Sequence, residues 1–278
     1  MAESPSPALA DLQIRARTIR KSIITSTTTA GSGHPTSSLS AVEITTALYF
    51  GGILRHDPKQ PHAPGRDRFI LSKGHAAPLL YAVLAEAGYF SKDLLPTLRK
   101  LDSPLEGHPN MRRLSGVEAS TGSLGQGLSL GIGHSLAARL DKLDFRVYVL
   151  LGDGELDQGQ VWEAAMAAKK FQLDNLVAIV DQNGYQQTGP TAEVLDLRPV
   201  VPRWESFGWF VQEINGHDLS EVLTAFCKAA QTKGKPSAII ARTVKGYPIQ
   251  EILAKDPNHH GKPLTADEAK QALALIGA

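Results

Sequence analysis

Residues 145–185 read FRVYVLLGDGELDQGQVWEAAMAAKKFQLDNLVAIVDQNGY, from Phe145 to Tyr185. The apolar, β-branched run Val147–Leu151 stops abruptly at Gly152-Asp153-Gly154, and a helix-like segment follows. A second apolar run, Leu176–Val180, stops at Asp181-Gln182-Asn183-Gly184. Unbroken apolar runs of this length, bounded by turn residues and separated by a helix, predict two buried strands of a parallel sheet. Each strand delivers an oxygen-bearing side chain, Asp153 or Asn183, to the loop at its carboxyl end. In an open parallel sheet the crevice beyond those ends is where ligands bind.

Charge narrows the kind of ligand. Two unit charges about 4 Å apart interact by roughly 4 kcal/mol at an effective dielectric of about 20. A carboxylate such as Asp153 is therefore repelled by a phosphate unless a cation lies between them. Magnesium prefers an octahedral oxygen shell of one or two carboxylates, waters and substrate phosphates, and calcium takes a looser oxygen shell. Asp153, the Asn183 amide oxygen and a backbone carbonyl just beyond it supply the protein half, and a diphosphate supplies most of the rest. Gly152 and Gly154 let the backbone turn sharply and approach the ligand. Amides at the start of the following helix add to anion binding. Two ordinary turns would use the same residues; the strand–helix–strand spacing that joins them favours the ligand.

Composition bounds the class. At 278 residues the chain is long enough for a full α/β layer structure, and its 42% hydrophobic and 21% charged residues are those of a soluble globular protein. A formal net charge of +1 gives no electrostatic footprint for nucleic acid or an anionic membrane. The single cysteine, Cys227, excludes an intrachain disulfide framework and fits a reducing compartment. Within LTAFCKAA it reads as a small apolar residue rather than a nucleophile. The opening MAESPSPALADLQ carries no signal-sequence pattern, residues 1–7 read as frayed, and no stretch approaches the roughly 20 apolar residues of a membrane span. A cytoplasmic α/β protein is expected.

Working outward, helices are predicted over Ala8–Ala30, Ser38–Phe50, Ala76–Ala87, Lys92–Leu101 and Leu124–Leu140. Past the central unit, Val201–Phe207, Leu219–Thr232 and a final segment after the capping box Thr265-Ala266-Asp267-Glu268 follow. Further strands are predicted at Arg68–Leu71, Phe210–Ile214 and Ser237–Thr243. Alternating strands and helices predict a doubly wound parallel sheet with helices on both faces, and residues 1–278 read as a single domain. The glycine-studded run GQGLSLGIG has no strand before it, so it is not a dinucleotide fingerprint. Its small residues read as sites of close packing, as at a subunit interface. Five of the nine histidines (His34, His75, His108, His217 and His260) stand in loops flanked by glycine or proline, where an imidazole can face a ligand. His217, followed by the helix-capping Asp218, reads as structural.

Gly152-Asp153-Gly154 with Asn183 thirty residues beyond Asp153 resembles the thiamine-diphosphate signature. The chain also resembles the amino-terminal half of transketolase over Ala10–Leu264. AGSGHPTSSLSAVEI, DRFILSKGHAAPLLYAVLAEAGY, EGHP, STGSLGQGLSLGIG, LLGDGELDQGQVWEA, LDNLVAIVDQN, ARTVKG and HHGKPL carry the resemblance in order. It implies a thiamine-diphosphate-binding fold with Mg²⁺ (or Ca²⁺) held by Asp153, Asn183 and the Tyr185 carbonyl. It implies cofactor contacts at Ser37, His75, Gly122, Ser123, Leu124, Gly154, Asn183 and Lys245. His34, His108 and His260 match histidines that bind substrate hydroxyls and assist proton transfer. His260 is preferred to His259 because it directly precedes Gly261-Lys262-Pro263.

The resemblance stops where the family's pyrimidine-binding domain, with its activating glutamate, would begin. It therefore implies a separately encoded carboxyl-terminal subunit, pairing in a two-plus-two heterotetramer, and transfer of a two-carbon ketol unit between sugar phosphates. A branched or sulfonated sugar, or a non-catalytic cofactor-binding remnant, are the alternatives. Subunits of 2-oxo acid dehydrogenases and deoxyxylulose phosphate synthase share the metal pair, but the histidine loops and SLGQG fit transketolase better. One departure stands out: Gln158 occupies a position where the family has glutamate, while Glu163 is retained. Gln158 cannot hold a shared proton charge, which bears on communication between active sites rather than on cofactor binding.

Overall fold

Five predicted strands become one all-parallel sheet in the computed structural model, which describes residues 8–277. Residues 1–7, expected to be frayed, lie outside the described residues. The strands are β1 (Arg68–Leu71), β2 (Val147–Gly152), β3 (Leu176–Gln182), β4 (Phe210–Asn215) and β5 (Ser237–Arg242), in spatial order β1-β2-β3-β5-β4. Register sets Gly152 beside Asp181, and Gln182 beside Arg242, so the carboxyl ends of β2, β3 and β5 finish level with one another.

The helices are α1 (Leu9–Ala30), α2 (Pro35–Leu39), α3 (Val42–Phe50), α4 (Ala77–Glu86), α5 (Gln126–Leu140), α6 (Gly159–Lys170), α7 (Thr191–Val194), α8 (Val200–Ser206), α9 (Leu219–Gln231) and α10 (Ala266–Gly277). Alternate strand residues enter opposite cores. Tyr148, Leu150, Val177, Ile179 and Ile239 join the apolar sides of α1, α3, α4, α9 and α10. Val147, Val149, Leu151, Ala178, Val180 and Ile240 join those of α5, α6 and α8. The doubly wound α/β architecture expected from the alternation of strands and helices is the one found.

Local chemistry explains most boundaries. Gly88, in the left-handed region at φ 88, lets Tyr89 N–H reach the Leu84 carbonyl at 3.0 Å and closes α4. Thr265 and Glu268 form the reciprocal cap of α10, with Thr265 N–H donating to Glu268 Oε2 at 2.8 Å and Glu268 N–H to Thr265 Oγ1 at 3.3 Å.

Other boundaries differ from expectation. The helix expected over 38–50 is broken between α2 and α3, because the Ser37 carbonyl accepts Lys73 Nζ at 2.9 Å and Ser40 Oγ donates to buried Asp181 at 2.6 Å. Pro96 limits the expected Lys92–Leu101 helix to a tight 3₁₀ segment, Lys92–Thr97. α7 forms in the stretch before Val201 for which no element is predicted. In α5, a Cβ at Gly127 would collide with Ser72 Cβ, and one at Gly131 would lie 2.6 Å from Val149 Cγ2. Those two glycines thus admit the helix to its own sheet. Cys227 is exposed on α9, not in the core. Among the described residues no helix is long and apolar enough to cross a membrane.

Candidate active site

Beyond the carboxyl ends of β2 and β3 lies a cleft of about 620 Å³. His34, Ser37, His75, His108, Gly122, Leu124, Asp153, Gly154, Asn183, Tyr185 and His260 all line it. Two other expected residues do not. Ser123 is exposed between Gly122 and Leu124, and Lys245 stands behind the wall, buried, with Nζ 2.6 Å from Asn258 Oδ1 and 3.1 Å from His260 Nδ1.

Asp153 is the first residue past β2 and is 8% exposed. Its Oδ1 accepts Gly154 N–H at 2.9 Å and its Oδ2 accepts Gly184 N–H at 2.6 Å, so the carboxylate joins the two strand ends. Burial and then the nearby Asp181 charge push its pKa up to about 7, more than those two amides pull it down. Asn183 sends its Nδ2 to Asp181 Oδ2 at 3.3 Å, while its Oδ1 accepts Tyr185 N–H at 3.1 Å. Each Asp153 oxygen and Asn183 Oδ1 keeps a lone pair for a further partner. An all-oxygen donor set around a buried carboxylate that resists ionisation fits a hard divalent cation, whose charge would favour the ionised form. Gly154 is required here, since a Cβ would collide with Gln186 Cβ.

Opposite this end sit three imidazoles. Ring centroids are 5.2 Å apart for His34–His75, 5.0 Å for His34–His260 and 5.3 Å for His75–His260. Pro35 starts α2 directly after His34, and Gly74 and Gly261 flank the other two rings in sequence. His34 Nδ1 is buried without a hydrogen-bond partner among the described residues. Burial, then neighbouring His260 and the Arg99 charge, lower its pKa to about 3. Burial and then Lys245 lower His260 to about 4. Burial, then Lys73, holds His75 well below the usual range. His108 stands apart, packed on Gly122, with its pKa lowered by burial and then Arg99. These imidazoles are neutral near pH 7, each with one donor and one acceptor nitrogen. His259 turns away, its Nε2 3.3 Å from the Pro263 carbonyl, so His260 is the one that faces the cleft.

Several residues in the cleft or buried beside it escaped sequence reasoning. Lys73 and Asp181 form an ion pair at 2.5 Å, with side chains 1% and 0% exposed. Their only signal was a charge at the end of each apolar run. Glu155, 2% exposed, accepts Ser72 Oγ at 2.5 Å, Gly125 N–H at 2.8 Å and Gly152 N–H at 3.0 Å. It thereby ties the Gly122–Leu124 turn to the end of β2. Gln186 and Gln187 also line the cleft, and Gln186 Nε2 donates to Asp157 Oδ2 at 3.0 Å. Gln158 lines it too, on an exposed turn.

Residues 12–278 match the family described as transketolase, thiamine diphosphate binding domain. The chain belongs to the transketolase family. It is 44% identical over 266 residues to a 6-deoxy-6-sulfo-D-fructose transketolase subunit of Clostridium sp. (strain MSTE9), covering 96% of each chain. It is 40% identical over 265 residues to an apulose-4-phosphate transketolase subunit of Phocaeicola vulgatus, covering 95% of this chain and 93% of that one. Against human transketolase it is 45% identical over 266 residues, which is 95% of this chain and 42% of the human protein. The crystal structure of Campylobacter jejuni transketolase superposes with a TM-score of 0.91 at 34% identity, covering 98% of this chain and 43% of that one. This transketolase chain thus spans nearly all of two subunits and under half of the full-length enzymes.

Proposed function

We propose that this chain is the amino-terminal, diphosphate-binding subunit of a split transketolase, a single domain over residues 1–278. With a separately encoded carboxyl-terminal subunit it transfers a two-carbon ketol unit from a ketose phosphate to an aldose phosphate. The observation that carries the reading is the meeting, in one cleft, of the Asp153–Asn183 oxygen pair and the neutral His34–His75–His260 cluster. The partner supplies the pyrimidine-binding domain and its activating glutamate, and the assembly is a heterotetramer of the cytoplasm. The free thiol of Cys227 suits that compartment.

Thiamine diphosphate, when bound, supplies the carbon nucleophile and the electron sink for cleaving and forming the carbon–carbon bond. In this chain Asp153, Asn183 and the Tyr185 carbonyl would hold Mg²⁺ or Ca²⁺, whose charge would offset that of the diphosphate. Ser37, His75 and Gly154 would contact the cofactor with side chain or backbone, Lys245 would act on it through its charge from behind the wall, and the Gly122-Ser123-Leu124 turn would offer backbone groups to its ring end. Lys245, whose pKa burial and then Lys73 lower to about 8, keeps its proton near neutrality and offers positive charge. His34, His108 and His260 bind substrate hydroxyls, and because each imidazole is neutral it can accept a hydroxyl proton and return it.

The two relatives that match this chain nearly end to end are named for 6-deoxy-6-sulfo-D-fructose and apulose-4-phosphate. That favours, as a second reading, a split transketolase specialised for a sulfonated or branched sugar. The test is the complex assembled with its partner, Mg²⁺ and thiamine diphosphate, offered xylulose 5-phosphate and ribose 5-phosphate. Sedoheptulose 7-phosphate is the product expected. Its absence, with turnover of a sulfonated or branched ketose, selects the second reading. An assembled complex that fails to bind thiamine diphosphate sinks both and leaves a non-catalytic remnant.

A further inference from the structure

Lys73, which lines the cleft, pairs with fully buried Asp181, and the scheme above gives this ion pair no task. Lys73 Nζ donates to Asp181 Oδ2 at 2.5 Å and to the Ser37 carbonyl at 2.9 Å. Asp181 Oδ2 also accepts Ser40 Oγ at 2.6 Å and Asn183 Nδ2 at 3.3 Å, and its Oδ1 accepts the Thr243 hydroxyl. Four donors thus occupy the two oxygens of one carboxylate. Stability alone is a poor reason for such a pair, since replacing a buried ion pair by well-packed apolar residues is often neutral or stabilising.

The geometry gives another reason. An asparagine amide offers an oxygen on one side and a nitrogen on the other, and only its hydrogen-bond partners decide which way round it sits. Ionised Asp181 can only accept, so it claims the Asn183 nitrogen and turns the Asn183 oxygen away, towards Tyr185 N–H. Left unpaired, the same carboxylate, two residues from Asn183, would itself attract a cation. Lys73 cancels that charge, and three of the four donors crowd onto Oδ2. Lys73 also grips the carbonyl of Ser37, so one ammonium ties the loop after β1 to α2 and to β3.

We infer that Lys73 and Asp181 are positioning residues of the diphosphate site: Asp181 fixes the Asn183 amide with its oxygen towards the cation, and Lys73 keeps Asp181 from becoming a rival ligand. This rests on the proposed cofactor reading. The experiment uses the assembled complex with its partner and measures two quantities, the melting temperature without cofactor and the thiamine diphosphate Kd in saturating Mg²⁺ by calorimetry. Lys73→Met alone is expected to lower the melting temperature, because it leaves Asp181 buried and unpaired.

The double variant Lys73→Met/Asp181→Leu is expected to recover most of that loss, yet to bind the cofactor about 10–100-fold more weakly, the usual cost of removing a group that orients a metal ligand. A double variant that binds as tightly as wild type overturns the inference. Should the double variant not assemble, Asp181→Asn serves instead. It preserves volume but can donate to the Asn183 oxygen, and a Kd raised at least about 10-fold is expected; an unchanged Kd overturns the inference. A wild-type complex that binds no cofactor sinks the functional reading itself, which is a different result from variants that match a wild type that binds.

Discussion

His217 and the histidines of the cleft are built from the same kind of sequence, a histidine beside glycine in a loop, and they end in opposite circumstances. Both ring nitrogens of His217 are engaged: Nδ1 meets Glu43 Oε2 at 3.1 Å, and Nε2 accepts Val244 N–H at 2.8 Å. Its face stacks on Tyr247 at 3.8 Å. Glu43 is buried and also paired with Arg20; burial raises its pKa, but the His217 bond and the Arg20 charge outweigh that and keep it below the usual carboxylate range. His34 Nδ1, by contrast, has no partner among the described residues. A cavity of about 550 Å³ adjoins His217, against about 620 Å³ at the cleft, so volume does not separate the two places. Spare hydrogen-bonding capacity does. An imidazole with both nitrogens satisfied supports the fold, and one with a nitrogen to spare is available to a ligand.

The largest effect should come from Asp153→Ala. Losing one charge beside a cation removes roughly 4 kcal/mol at an effective dielectric of about 20, or about 1000-fold in affinity. Calorimetry of the complex with Mg²⁺ and thiamine diphosphate checks this. His260→Ala should lower kcat about 100-fold or more, the usual contribution of general acid–base catalysis, while the melting temperature barely moves. His217→Ala should do the reverse. It strips a partner from buried Glu43 and from Val244 N–H, costing about 1–3 kcal/mol of stability by denaturant titration, with kcat per assembled complex preserved. Lost turnover in His217→Ala at unchanged stability would break the contrast between the two places.

The last contrast is in pH dependence. His34 and His260 titrate at about 3 and about 4 in the folded chain, against 6.5 when unperturbed. A base with a depressed folded pKa contributes stability in full above its unfolded value and loses it as pH falls through the folded one. Stability from these two rings should therefore fade from about pH 6.5 down to about 3–4, and their NMR signals should hold still between about pH 8 and 5. Asp153 acts in the opposite sense. Its folded pKa is raised from 3.8 to about 7, so its contribution is greatest at low pH and is lost as pH rises through that interval. Asp153→Asn should therefore steepen the loss of stability on acidification, read as the urea midpoint against pH.

The sheet was legible in the sequence because apolar runs ended by glycine, aspartate and asparagine are local signals. The Asp153–Asn183 pair was legible for the same reason, each residue being tied to the end of its own run. What escaped was non-local. Lys73 and Asp181 are 108 residues apart in the chain, and Ser72 and Glu155 are 83 apart. No window of sequence reports such a pairing. The break between α2 and α3 escaped for the same cause, since the groups that interrupt the helical ladder arrive from β3 and from the loop after β1. Cys227 shows the limit of composition: a residue type usually buried sits here on the outer face of α9.

The spacing of the three cleft imidazoles, 5.0–5.3 Å between ring centres, makes them poor independent bases. A proton on one ring raises the cost of a second on its neighbours, and Lys245, 3.1 Å from His260 Nδ1, adds to that cost. The trio behaves as a buffer with a capacity of one. A proton placed on any one of the three rings thereby keeps the other two neutral until it leaves.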